Sequence, residues 1–285
     1  MTSFPRLVRA SMPALVCWLA TSPFTTDAAD AVRLEYHFEV GDRIDMEVRH
    51  RALTETTIGS TRQATETATD SRKTWQVVAV DDAGQATLEQ SVDEVRMTSR
   101  TSDRGEIRWS SADTGPPPPG YETVRQSLGV PLTRLVIDRA GRIIERHDLQ
   151  AVPPANTGDL VVVPLPDDPI MVGSTWTVPD ELVVEAPQAG RKAVRTRLRY
   201  QVDAVDDGIA TISVDTTVLT PIDDPRLEAR LLERIWDGTI RFDIDQGRVR
   251  SRSTTTDRRV VGFEGPQSSI RYKASLEENV IERSE

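Results

Sequence analysis

Four acidic pairs, Asp81-Asp82, Asp167-Asp168, Asp206-Asp207 and Asp223-Asp224, are the first residues whose types and spacing could do chemistry. Two carboxylates held close together can divide acid and base roles in glycoside hydrolysis, or hold a divalent cation. Every pair, however, sits at a predicted turn or helix start, where Asp is favoured because its side chain bonds the nearby backbone. The pairs are therefore read as turn formers, and only in the alternative as the acid and base of a secreted hydrolase. Asp243-x-Asp245-x-Gly247 resembles a calcium loop, but its Gly is in the fifth place and Thr254 stands where the bidentate Glu is needed. His37, His50 and His147 lack metal-ligand spacing, a Gly-x-Ser-x-Gly elbow is absent, and Cys17 is the single cysteine. No catalytic, metal or cofactor-binding residue is assigned on these grounds. The one concentrated basic feature is Arg191, Lys192, Arg195, Arg197 and Arg199, which is read as a solvated strand carrying gatekeeping charge, with an acidic polymer as the alternative partner.

The elements that would position these residues are strands. Trp75-Gln-Val-Val-Ala-Val-Asp-Asp-Ala-Gly-Gln-Ala-Thr-Leu88 returns as Tyr200-Gln-Val-Asp-Ala-Val-Asp-Asp-Gly-Ile-Ala-Thr-Ile212, one residue shorter in the turn. Each copy alternates apolar residues, breaks at Asp-Asp with Gly, and resumes with β formers, which is the pattern of a hairpin. Two further markers recur in order. Gly41-Asp-Arg-Ile44 is echoed by Gly173-Ser-Thr-Trp176, and Leu135-Val-Ile-Asp-Arg-Ala-Gly-Arg-Ile143 by Ile240-Arg-Phe-Asp-Ile-Asp-Gln-Gly-Arg-Val249. The expected fold is mainly β: two repeated antiparallel-sheet units, at residues 32–150 and 170–285, each forming a curved sheet or half-barrel with one short helix. Residues 151–169, rich in Pro, form the linker between them. Leu34, Tyr36, Phe38 and Val40 alternate as a half-buried strand, and the Thr-rich stretch 54–74 is a long hairpin turning at Gly59-Ser60 and projecting into water.

Composition limits the class of function. The chain has 285 residues, 38% apolar and 28% charged, with a net charge of −10, which disfavours nucleic acid and anionic lipid as partners. Residues 1–31 read as a signal peptide: Arg6 and Arg9 precede the short apolar run Met12 to Ala20, and cleavage is expected after Ala28, Ala29 or Ala31. That run is too short to span a membrane. Val16 stands before Cys17 where lipidation needs a small residue, so an acyl anchor is not expected. The mature chain then lacks cysteine and is secreted or periplasmic.

Helical spacing appears twice, at Tyr121, Val124 and Leu128, and again at Leu227, Leu231 and Ile235 behind an Asp224 N-cap and Pro225. A curved sheet would leave its apolar face open to water unless something covered it. These six residues are therefore the candidate ligand or lid face, with Arg226, Glu228 and Glu233 expected to face solvent. The Gly41-Asp start, the Thr-rich hairpin, Val80-Asp-Asp-x-Gly, the helix between Tyr121 and Pro131 and the Asp-x-x-Gly-Arg hairpin together resemble an uncharacterised bacterial family of secreted β-rich proteins. A looser similarity of architecture is to the periplasmic lipoprotein carriers. The functional expectation is a non-enzymatic envelope module that binds a hydrophobic ligand or a protein partner, without nucleic acid or cofactor.

Overall fold

Period-two runs of Val, Ile, Thr and aromatic residues, separated by Gly turns, build a sheet that occupies most of the chain. The structure is a computed structural model that describes residues 31–150, 162–186 and 190–281. Residues 1–30 of the expected leader and 151–161 of the expected linker lie outside the described residues. Strands β1 (Arg43–Ile58), β2 (Thr61–Val80), β3 (Ala86–Thr101) and β4 (Gly105–Ser110) are followed by helix α1 (Glu122–Gln126), β5 (Thr133–Ile137) and β6 (Ile143–Asp148). Then come β7 (Thr175–Ala186), β8 (Gly190–Asp206), β9 (Ile209–Val218), helix α2 (Pro225–Leu231), β10 (Asp237–Asp243), β11 (Arg248–Val261) and β12 (Ser268–Val280).

All twelve strands join one antiparallel sheet in the order β6-β5-β3-β2-β1-β12-β11-β10-β9-β8-β7, with β4 pairing beside β3. Strands paired in the sheet are consecutive in sequence except where β5 pairs β3 and at the centre, where β1 meets β12 from Met46↔Val280 to Ile58↔Ser268; β6 and β7, consecutive in sequence, form the two edges. The sheet thus joins the two predicted units, and the described residues from 31 to 281 cluster as one compact unit. The Thr-rich hairpin turns at Gly59-Ser60 as expected, yet it does not project alone, because β12 runs alongside β1 to its tip.

The echoing stretches occupy matching places. Ile44 faces Trp75 in β1–β2 as Trp176 faces Tyr200 in β7–β8. Leu88 faces Leu135 and Ala86 faces Ile137, just as Ile212 faces Ile240 and Ala210 faces Phe242. A bulge interrupts β2 between Val77 and Ala79 and β8 between Val202 and Ala204, at the same place in both copies. The missing turn residue is explained as well. Asp207 (φ 48°) and Gly208 (φ 74°) form a two-residue turn with both central residues left-handed, whereas the longer turn after β2 closes around Asp81 Oδ1, which accepts from the amides of Ala83 and Gln85.

One core cluster draws on both halves, joining Trp75, Val77, Leu88 and Ile137 to Tyr200, Val202, Ile212 and Phe242. The segment 32–40 seals its end. Leu34 and Tyr36 are buried, but the segment is not the strand its alternation suggested: Val32 bridges Ile170, the Tyr36 amide donates to the Arg139 carbonyl and the His37 amide to the Gly247 carbonyl. The Tyr36 and His37 amides thus go to the two hairpin turns, and Val40 ends exposed. The Tyr36 hydroxyl donates to the Val163 carbonyl and accepts from the Val163 amide, and burial raises its pKa well above the ordinary tyrosine value. Glycine is required at both turns, since a Cβ on Gly141 would meet Val163 O at 2.6 Å and the Tyr36 ring, and one on Gly247 would meet the His37 ring at 2.6 Å.

Candidate functional site

The two helices differ in what they cover. α2 begins as its sequence dictates: the Asp224 side chain accepts from the Arg226 amide at 2.9 Å, and Pro225 needs no partner in the first turn. Leu227, Leu231 and Ile235 are buried against Val184 of β7 and Val194 of β8. The opposite side of the same segment is also apolar in its contacts, with Leu232 and Ala229 joining Val260 of β11, Tyr272 of β12 and Ala52 of β1. The segment is therefore a wedge, packed against both β7 and β11, four places apart in the sheet order. Arg226 and Glu228 are exposed, while Glu233, expected in solvent, is half-buried.

α1 is five residues long and buries none of its side chains. Of the residues expected to form its lid face, Tyr121, Val124 and Leu128 are all half-buried. Tyr121 packs on Trp109 with ring centroids 5.8 Å apart, and Leu128 bridges Val92 of β3. Trp109 is only 3% exposed, so it cannot offer a ring face to a sugar. The first helix caps one aromatic residue and does not lie across a sheet face as α2 does.

Beneath the end of α2 the fold brings together residues that no sequence spacing relates. His50 of β1, Thr254 and Thr256 of β11, Tyr272 of β12 and Glu233 and Trp236 beyond α2 line a pocket of about 10 Å³. Burial, then the charges of Arg51 and Lys73, lower the His50 pKa below its ordinary value. Burial and the Glu233 carboxylate push the Tyr272 hydroxyl up to about 12. Nearby, Arg252 and Glu278 form an ion pair at 2.5 Å with side chains 3% and 5% exposed. No group of three or more potential metal ligands occurs among the described residues.

The acidic pairs fall where turns need them. Asp138 repeats the arrangement of Asp81, accepting from the amides of Ala140 and Arg142, and Asp243 accepts from the Gln246 amide. Asp243 is buried at the end of β10. The exposed Arg195, Arg197 and Arg199 share one face of β8, opposite to Thr196, Leu198 and Tyr200.

Two open troughs, of about 670 and 740 Å³, escaped the sequence reading. Both cross the central strands, and the first rests on two cross-strand rows. One is Thr98, Ala68, Arg51, Ser275 and Thr255; the other is Glu106, Arg100, Glu66, Leu53, Lys273 and Asp257. By strand alternation these rows lie on the side of the sheet away from Ala52 and Ala274, which face α2. Small residues in the first row leave the dip. Neither row could be read without the register, because five strands contribute to the first and six to the second.

No family model matches the chain, and no curated protein matches it. Among solved structures, the chain is similar to DynF from the dynemicin biosynthesis pathway of Micromonospora chersina, at 8% identity over 95% of this chain and 92% of that one, with a TM-score of 0.22. A similarity that low transfers neither fold nor activity.

Proposed function

We propose that the chain is an exported, non-enzymatic module of the cell envelope in which α2 is a lid over an apolar groove for one hydrophobic ligand. The observation that carries this reading is the wedge. Val184 and Val194 on one side, and Val260 and Tyr272 on the other, form two small clusters separate from the main core and joined through the lid segment. Displacing that segment would open two apolar walls facing one another, and an acyl or similar chain could take the place of Leu227, Leu231 and Leu232. The lid face of Tyr121, Val124 and Leu128 has no matching apolar wall and is left out of this site.

The matching registers and bulges support descent of the two halves from one duplicated hairpin unit, with one lid retained as a covering helix. The hydrolase alternative gains no support, because the Asp81 and Asp224 carboxylates are engaged as turn and cap acceptors.

Native mass spectrometry of the protein recovered from its own envelope tests the reading, together with titration of an apolar fluorophore. A bound lipid-like mass, and fluorophore binding that rises when Leu231→Ala loosens the lid, are expected. A ligand-free mass with no fluorophore binding by either protein would sink it. Loss of a hydrolytic activity on substituting Asp81, Asp82, Asp206 and Asp207, with folding intact, would favour the hydrolase.

A further inference from the structure

Under the end of α2, two polar atoms are closed off from solvent and meet no hydrogen-bonding group of the protein: Nε2 of His50 and Oγ1 of Thr256. Both residues line the same space of about 10 Å³. Buried polar groups without partners are costly, and two of them facing one small space point to something that bonds both. The register explains why they do not bond each other. His50 faces Leu276 across β1–β12 and Thr256 faces Ala274 across β11–β12, so the cross-strand partner of each on the intervening strand is apolar.

The space is about the size that a single water molecule needs, and too small for any organic ligand. Chemistry fits the same occupant. A neutral imidazole whose Nε2 carries no proton accepts one hydrogen bond there, and a threonine hydroxyl can donate one. Water can donate to the first and accept from the second, which leaves its other hydrogen for a further acceptor; Glu233 and Tyr272 are among the residues that line the pocket. Burial and the nearby Arg51 and Lys73 charges favour the neutral ring that this arrangement requires.

We propose that this pocket is a binding site for one ordered water molecule bridging His50 Nε2 and Thr256 Oγ1. The lid is then seated in two unlike ways: its helical part by dry contacts of Leu227 and Leu231 with Val184 and Val194, and the residues just past it by a wet polar joint. This inference does not depend on what the groove binds.

The test is made on the full mature chain with labelled histidine. Magnetic relaxation dispersion of ¹⁷O water counts long-lived internal waters, and water-to-ring cross-relaxation reports whether one sits at His50. Cross-relaxation to the His50 ring is expected in the wild type, and it should vanish in Thr256→Val, which keeps the shape of the side chain and removes the hydroxyl. The dispersion amplitude should fall by one water in the same variant. Absence of cross-relaxation in the folded wild type would overturn the proposal whether or not the variant folds. So would a signal and an amplitude unchanged by Thr256→Val.

Discussion

Three residues carry opposite consequences of burial. Arg252 and Glu278 pair with one another inside the protein, and removing one partner strands the other charge away from water. Glu278→Gln should therefore destabilise by ~3 to 5 kcal/mol, whereas Arg252→Met with Glu278→Leu should cost much less, since a buried pair replaced by apolar groups of similar size is often neutral. Urea unfolding of the single and double variants decides this, and equal losses would contradict it. His50 acts through pH. Its folded pKa is lowered from 6.5, first by burial and then by Arg51 and Lys73, so the fold prefers the neutral ring. The sign follows: this stability is present above the ordinary histidine pKa and is lost as pH falls through the lower folded value. Glu233 beyond α2 is the other charged residue lining the same pocket. His50→Gln should flatten the fall in urea midpoint between about pH 7 and pH 5 relative to wild type. A fall equally steep in the variant would show that other groups set the pH dependence.

At the scale of elements, the two helices should respond differently to the same substitution. Leu231 has no exposure and sits between β7 and β8 side chains, so Leu231→Ala should cost ~2 to 5 kcal/mol. Val124 lies on a helix with no buried side chain, so Val124→Ala should cost less than about 1 kcal/mol. Comparable losses at the two sites, measured by thermal or urea unfolding, would mean that α1 is as structural as α2. The turns differ in the same way. Gly141 (φ +72°) has the Tyr36 ring and Val163 O where a Cβ would go, while Gly59 (φ +59°) has nothing within 4 Å. Both Ala variants carry the cost of a left-handed backbone, roughly 1 kcal/mol or more. Only Gly141→Ala must also push segment 32–40 off its turn, and its unfolding midpoint should fall well below that of Gly59→Ala.

For the whole molecule, the meeting of the first and last strands is the decisive feature. β1 cannot complete its pairing until β12 exists, and the main core draws on both halves. The protein should unfold in one transition, and a fragment of residues 32–150 should not fold alone, because its β1 edge would be bare and half of its core missing. Circular dichroism and amide dispersion of that fragment check this: a native-like β spectrum from the fragment would show the halves to be independent. Pairing between residues so far apart in sequence also implies slow refolding for the size of the chain. The outer strands are built to resist further pairing. β7 carries Pro179 within its length, and β6 is short and rich in charge, so neither edge invites a second chain.

Much of this was legible in the residues themselves, because it rests on local rules. Period-two alternation gave strands, Asp and Gly placed the turns at 81–84, 138–141 and 206–208, and Asp224-Pro225 marked the start of α2. Leu227, Leu231 and Ile235 could be grouped because an α-helix puts i and i+4 on one side. What alternation cannot encode is which strand lies beside which. The β1–β12 junction, the wedge between β7 and β11, the His50–Glu233–Thr256 pocket and the cross-strand rows of the outer troughs all depend on that choice. The segment 32–40 shows the same limit from the other side: its pattern is that of a strand, but its Tyr36 and His37 amides are taken by the two hairpin turns, one from each half of the chain. Local chemistry determined the elements and their wet and dry faces; long-range pairing decided which faces meet, since hydrophobic burial is satisfied only by the arrangement that closes both halves over one core.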